Sequence, residues 1–454
     1  MIQKILVANR GEIAVRIIRA CREMGIETVA VYSTADRDAL HTQLADEAVC
    51  IGEKRSSESY LNMESIMSAA VSSGADAIHP GVGFLSENAA FVQLCEQCGI
   101  KFIGPGSEVI RLMGNKALAR KTMIAAGVPV IPGCEREILD CEDAIKIAKK
   151  IGYPIMIKAA FGGGGKGMRV AYEEAEFANA FLTAKKESEM AFGDGRMYLE
   201  RYIQHPRHIE FQIMADSHGN IIHLGERDCS VQRNHQKMIE ESPSDSLDEP
   251  TREKMAQTAV RAARAVGYEN AGTVEFLLEN SGAFYFMEMN TRIQVEHPVT
   301  EMVTGLDMIK EQIGIADGKR LSVSQQEVFC RGHAIECRIN AEDPEKNFSP
   351  CPGHIAGIYM PGGNGVRVDS AVFSGYDVSP FYDSMLAKLI VHGKNRSEAI
   401  RKMRRALGEV VIEGITSNVD YLYDILCDKA YEKGDFDVSF VEEFHGRIYH
   451  DPKP

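Results

Sequence analysis

Thr273-Val274-Glu275-Phe276-Leu277-Leu278, followed past Glu279-Asn280-Ser281-Gly282 by Phe284-Tyr285-Phe286-Met287-Glu288-Met289-Asn290, is the stretch on which this chain's fold turns. Strand alternation puts Glu275 and Leu277 on one face and Val274, Phe276 and Leu278 on the other. In the second strand, alternation groups Phe284 and Phe286 with Glu288 and Asn290. The polar, glycine-containing turn makes the two an antiparallel hairpin. Depending on register, Glu275 stands directly or diagonally opposite Glu288, on one face if the pleat is kept. Two carboxylates that close repel each other unless a cation neutralises them. Together with the amide oxygen of Asn290 they form a hard oxygen set suited to Mg²⁺, with phosphate oxygens completing its shell.

The chain continues Thr291-Arg292-Ile293-Gln294-Val295-Glu296-His297-Pro298. Arg292 can hold a small oxyanion bidentately. Glu296 could take a proton from that oxyanion. His297 precedes a proline and is expected only to bond the turn.

Two further stretches carry chemistry. Phe161-Gly162-Gly163-Gly164-Gly165-Lys166-Gly167 lies between the strands Ile155–Lys158 and Met168–Ala171. Glycines there let backbone N–H groups cradle phosphate oxygens, with Lys158 just ahead of them. A flexible hairpin linker is the plainer reading. The run Glu226-Arg227-Asp228-Cys229-Ser230-Val231-Gln232-Arg233-Asn234-His235-Gln236-Lys237 reads either as a solvated charged face or as an anion cradle.

The opening alternates strand and helix. Lys4–Ala8, Thr28–Tyr32, Ala75–His79 and Lys101–Gly104 read as strands; Ile13, Ile17, Ala20, Cys21 and Met24 recur at helical spacing, and Gly25 stops the helix. This predicts a Rossmann-like parallel sheet over residues 1–114. It has no G-x-G-x-x-G after its first strand and no G-x-x-x-x-G-K-[ST] anywhere, which argues against a nicotinamide or P-loop enzyme. Longer strands follow from Arg207, and a mixed α+β region over 332–446.

At 454 residues the chain is long enough for two or three domains. Its 44% hydrophobic and 26% charged content are those of a globular protein. No apolar run approaches a membrane span, and Met1–Ala8 lacks the regions of a signal peptide. A net charge of −14 argues against nucleic acid as a partner. The 11 scattered cysteines suit free thiols in a reducing cytoplasm, and Cys95 and Cys98 lack a second ligand pair for zinc.

The segment Glu288–Glu301 resembles the signature of biotin-dependent carboxylases, within the ATP-grasp superfamily. Asn9–Ala14, His79-Pro80-Gly81, Gly83–Asn88, Glu226–Ser230, Arg331–Arg338 and Tyr382–Met385 resemble the same family, so the likeness covers essentially the whole chain. It implies an α/β ATP-grasp fold: a Rossmann-like domain (1–114), an ATP-grasp domain (115–331) whose mobile glycine-rich lid spans about 131–203, and a C-terminal domain (332–446).

The implied reaction is ATP-dependent carboxylation of biotin by bicarbonate through carboxyphosphate. The length matches the stand-alone subunit of bacterial acetyl-CoA carboxylase, which performs the first half-reaction of malonyl-CoA formation for fatty acid synthesis. No Met-Lys-Met biotin-attachment motif occurs, so the biotin is expected on a separate carrier protein. Carboxyltransferase subunits and a second copy of the chain, as a homodimer, are the other implied partners.

Residue by residue, the resemblance implies ATP contacts from Lys116, Lys158, Gly164, Gly165, Glu200, Arg201, Tyr202, Ile203, His208, Gln232 and His235, and through the metal from Glu275 and Glu288. Glu275, Glu288 and Asn290 would hold Mg²⁺ or Mn²⁺, often two ions. Lys237, Arg292, Gln294, Val295 and Arg338 would bind bicarbonate. Glu296 would be its base, and Arg338 would also stabilise the biotin enolate. The chain departs from the family at Arg201, where lysine is common, and at Phe161, where some relatives have glycine. Adenine recognition by backbone should tolerate Arg201, whereas Phe161 is expected to slow the lid.

Overall fold

The computed structural model describes residues 1–134, 136–160 and 167–449. The tract from Phe161 to Lys166, with Gly164 and Gly165, lies outside the described residues.

Apolar β-branched runs near the start form a parallel sheet of five strands: β1 (Lys4–Val7), β2 (Glu27–Ser33), β3 (Glu47–Gly52), β4 (Ala77–His79) and β5 (Lys101–Phe102), ordered β3-β2-β1-β4-β5. The edge strand β3 is largely exposed, so it carries no apolar alternation to announce it. Helix α1 (Gly11–Glu23) buries Ile13, Ile17, Ala20 and Cys21, and Gly25 beyond it takes φ +72°. That left-handed conformation suits glycine and ends the helix. The buried face of α1 shares one core with Met308, Ile309 and Ile313, tying the first sheet to the rest of the molecule.

A small unit follows. Strands β6 (Ile155–Ala159), β7 (Arg169–Ala171) and β8 (Met197–Arg201) form an antiparallel sheet with β6 central. It is covered by α2 (Cys141–Ile151) and α3 (Glu174–Phe192), around Phe177, Phe181, Ile155 and Leu199.

The third layer is an eight-stranded antiparallel sheet of β9 (Arg207–Ala215), β10 (Ile221–Arg233), β11 (Gln236–Ser242), β12 (Asn270–Leu278), β13 (Phe284–Asn290), β14 (His333–Asn340), β15 (Val366–Ser370) and β16 (Met385–Gly393). The order is β13-β12-β9-β10-β11-β14-β16-β15, so the sheet runs unbroken across residue 331. Strand β10 runs past Gly225 and through the charged run to Arg233. Asn234 and His235 then turn the chain with φ of +49° and +63°. Arg233 pairs with Gln236 across them. Two residues with positive φ are what a tight hairpin needs.

One expectation for the decisive hairpin is corrected. Glu275 pairs directly with Glu288, but the next pair is Phe276 with Phe286, leaving Met287 extra in a bulge. An inserted residue reverses side-chain parity along a strand. Phe284 and Phe286 therefore lie with Val274, Phe276 and Met289 in the apolar core, not with Glu288 and Asn290. Among the described residues no helix is long and apolar enough to cross a membrane.

Candidate active site

The bulge gives the sheet an apolar face and a charged one. On the charged face, register places Glu288, Glu275, Glu210 and Arg227 in one row across β13, β12, β9 and β10. Further along, Arg338 of β14, Lys388 of β16 and Asp369 of β15 form a second row. The chain leaving β13 crosses over these rows as residues 291–296 and enters helix α4 (His297–Thr304).

Lys237 stands at the centre. Its ammonium donates to Glu210 (2.6 Å), Glu275 (3.0 Å) and Glu296 (2.6 Å). The other oxygen of Glu296 accepts from Arg338 Nη2 at 2.9 Å, while Arg338 Nε donates to Glu240 at 2.6 Å. A buried charge is tolerated only when paired in this way. Burial opposes ionisation of Glu296, but Lys237, then Arg338 and Arg227, outweigh it and hold the carboxyl well below its ordinary value. Burial likewise works against the Lys237 ammonium, and the surrounding carboxylates raise its pKa regardless. The arrangement keeps an ionised carboxylate and two cations around one small space.

Glu275 accepts from Asn290 Nδ2 (2.9 Å) and Gln294 Nε2 (2.8 Å), and its second oxygen lies 3.0 Å from His208 Nε2. Glu288 opens onto the cleft. Its carboxyl is pushed up, first by desolvation and then by the facing Glu275. Two facing carboxylates repel each other unless a cation lies between them, and an oxygen-only donor set fits Mg²⁺. Asn290 Oδ1 accepts from Arg292 at 3.2 Å, which leaves its second lone pair for an ion.

Arg292 is held by Glu87 from the first domain (Nε–Oε2 2.9 Å), which also accepts from the Thr291 backbone at 3.0 Å. His297 Nδ1 lies 2.8 Å from the Gln294 carbonyl, the turn bond expected of it.

One cleft of about 1970 Å³ is lined by Lys237, Glu275, Glu288, Asn290, Arg292, Gln294, Glu296, Arg338, His208 and Glu87. It also takes in Lys116, Lys158, Glu200, Tyr202, Ile203, Gln232 and His235, so every described residue in the expected ATP, metal and bicarbonate sets reaches the same space. Lys158 pairs with Glu200 on the neighbouring strand. The Arg201 guanidinium is turned to the β12–β13 hairpin, bonding Glu279 (2.6 Å) and Tyr285 (2.9 Å).

Several site residues escaped the sequence reading. Arg227 is 0% exposed and donates to Glu210, Gln212, Thr300, Thr273 and Gln294. From Glu226 to Gln232 the charged run containing it is thus interior, while its end at Asn234–Gln236 is exposed. Glu210 had a legible signal, since His208, Glu210 and Gln212 alternate with Ile209, Phe211 and Ile213. Glu240 and Glu87 carried none beyond the stretches that contain them.

The comparisons agree with this geometry. Residues 115–324 match the family described as carbamoyl-phosphate synthase L chain, ATP binding domain, and with the fold this defines an ATP-grasp enzyme of the ligase type. Residues 1–110 match the biotin carboxylase N-terminal domain and 336–443 the biotin carboxylase C-terminal domain. Biotin carboxylase of Nostoc sp. is 57% identical over 97% of this chain and 99% of its own length. A pyruvate carboxylase subunit from Methanothermobacter thermautotrophicus is 54% identical over 99% of this chain and 91% of its own. The chain belongs to the biotin carboxylase family.

Two solved structures superpose on it with a TM-score of 0.94. One is a Campylobacter jejuni biotin carboxylase in a β,γ-ATP complex, 50% identical over 98% of this chain and 99% of its own. The other is the biotin carboxylase domain dimer of Hydrogenobacter thermophilus 2-oxoglutarate carboxylase with MgADP, ADP and bicarbonate, 49% identical over 100% of both chains.

Proposed function

We propose that this protein phosphorylates bicarbonate with ATP and carboxylates biotin displayed on a separate carrier protein, as the biotin carboxylase subunit of an acetyl-CoA carboxylase. The observation that carries the reading is Glu296, clasped between Lys237 and Arg338 beside the Glu275–Glu288 pair. It supports reading a base, an oxyanion pocket and a metal platform in one cleft.

Lys237, Arg292, Gln294, Val295 and Arg338 receive bicarbonate, and Glu296 takes its proton. A bicarbonate oxygen then attacks the γ-phosphorus, ADP leaves, and carboxyphosphate breaks down to CO₂ and phosphate. The released phosphate takes the N1′ proton of biotin, Arg338 stabilises the resulting negative charge on the ureido oxygen, and N1′ adds to that CO₂. Glu275, Glu288 and Asn290 would hold Mg²⁺ or Mn²⁺, one ion or two, which neutralises phosphate charge. Lys116, Lys158, Gly164, Gly165, Glu200, Arg201, Tyr202, Ile203, His208, Gln232 and His235 hold ATP. Such catalysis consists mostly of positioning and charge stabilisation.

The domain limits 1–114, 115–331 (lid about 131–203) and 332–446, a homodimer, a cytoplasmic setting and separate carboxyltransferase subunits belong to the same proposal. The test is ATP hydrolysis that requires bicarbonate and Mg²⁺ and rises with free biotin; indifference to both bicarbonate and biotin would sink it. A second reading, with pyruvate or a 2-oxo acid as final acceptor, is favoured by the similarity to the Methanothermobacter pyruvate carboxylase subunit. The carrier and carboxyltransferase that co-purify from the native cell separate the two.

A further inference from the structure

Lys388 lies in the middle of the apolar strand β16, is 0% exposed, and has no part in the chemistry above. A buried ammonium is costly unless its bonds are strong and specific. Lys388 Nζ donates to the carbonyl oxygen of Val295 at 2.8 Å and lies 3.1 Å from Glu12 Oε1, in the first turn of α1. Asp369 stands 4.0 Å away but is already paired with Arg367 at 2.7 Å. Glu12 is therefore the ion-paired carboxylate that depends on Lys388, and the Val295 carbonyl is the neutral group that it grips.

That carbonyl belongs to the peptide joining Val295 to Glu296. Fixing its direction fixes the peptide plane from which the Glu296 side chain departs. One residue earlier, Gln294 is held by Arg227 (2.6 Å) and Glu275 (2.8 Å). The loop is thus clamped on both sides of Val295, from β10 and β12 on one side and from β16 on the other.

We propose that Lys388 is a positioning residue for the bicarbonate pocket: it orients the Val295–Glu296 peptide and ties that orientation, through Glu12, to the N-terminal domain. The inference rests on the reading of Val295 and Glu296 as bicarbonate-binding groups. A lysine that served only to neutralise Glu12 would be dispensable once Glu12 lost its charge. A clamp on the carbonyl would not.

The test compares Lys388→Met with the double variant Lys388→Met/Glu12→Gln in the full chain. Should the single variant fail to fold, the double one carries the test, because it also removes the charge of the carboxylate ion-paired to Lys388. Measured quantities are kcat and KM for bicarbonate in biotin-stimulated ATP hydrolysis, and ATP binding by calorimetry. The expected result is at least a tenfold fall in kcat/KM for bicarbonate in the double variant, with ATP affinity within twofold of wild type. A double variant with wild-type kcat/KM for bicarbonate overturns the proposal. So does an equal loss of ATP affinity, since that reports general loosening. A wild-type enzyme that ignores bicarbonate would instead overturn the reading of the pocket itself.

Discussion

Glu275 and Glu288 face each other as direct register partners across the β12–β13 hairpin, and the bulge at Met287 keeps both on the charged side of the sheet. Glu275 is already covered by Lys237, His208, Asn290 and Gln294, whereas Glu288 opens toward the cleft. The two carboxylates therefore have different parts in holding a cation.

Glu288→Gln should raise the Mg²⁺ concentration for half-maximal ATP hydrolysis about tenfold or more, roughly 1.4 kcal/mol of lost metal binding. The fold should be unaffected, because Glu288 is not part of the buried network. Chelating the divalent metal should stop hydrolysis in the wild type. An unchanged Mg²⁺ titration would remove Glu288 from the metal site.

Glu296→Gln should lower bicarbonate-dependent turnover by about 10²-fold or more, the range for loss of a positioned base. ATP binding, followed by calorimetry, should stay within a small factor of wild type. Turnover near the wild-type rate would show that another group takes the proton.

Arg227→Met should destabilise the fold by about 3–5 kcal/mol, because it removes one of the two cations that pair with the buried Glu210 and leaves the buried acceptors of Gln212, Thr273, Thr300 and Gln294 without their donor. The double variant Arg227→Met/Glu210→Gln should recover part of that loss. Urea unfolding of both reads the difference, and a single variant as stable as wild type would contradict the burial argument.

Glu241 provides a pH test away from the cleft. Burial pushes its carboxyl up, but His333 (2.8 Å) and Arg396 (2.7 Å) outweigh burial and bring it down to about 2 from an ordinary 4.5. A depressed carboxyl contributes stability that is fully present above its unfolded value and lost as pH falls through the folded one. The advantage of wild type over Glu241→Gln, on the order of 3 kcal/mol at neutral pH, should shrink between about pH 5 and pH 2. Denaturation curves across that range check it; a constant difference would show that Glu241 is not held ionised by this pair.

The residue string by itself determined the element types and the chemistry. Period-two alternation announced β12 and β13, strand–helix alternation announced the parallel sheet, and Arg292 to Glu296 carried the proposed oxyanion pocket in local order. Family motifs extended that to the proposed ATP-binding and metal residues. Tertiary structure alone decided which face each residue took and what it touched. A single bulged residue turned Phe284 and Phe286 into core, since parity along a strand depends on partner register, which lies in another segment. Arg227 and Lys388 show the same limit. Whether a charge in a strand is solvated or buried depends on the strands beside it and on the carboxylates and carbonyls they bring. Glu210, Gln294 and Val295 are far from Arg227 and Lys388 along the chain, and only the folded sheet places them within bonding distance.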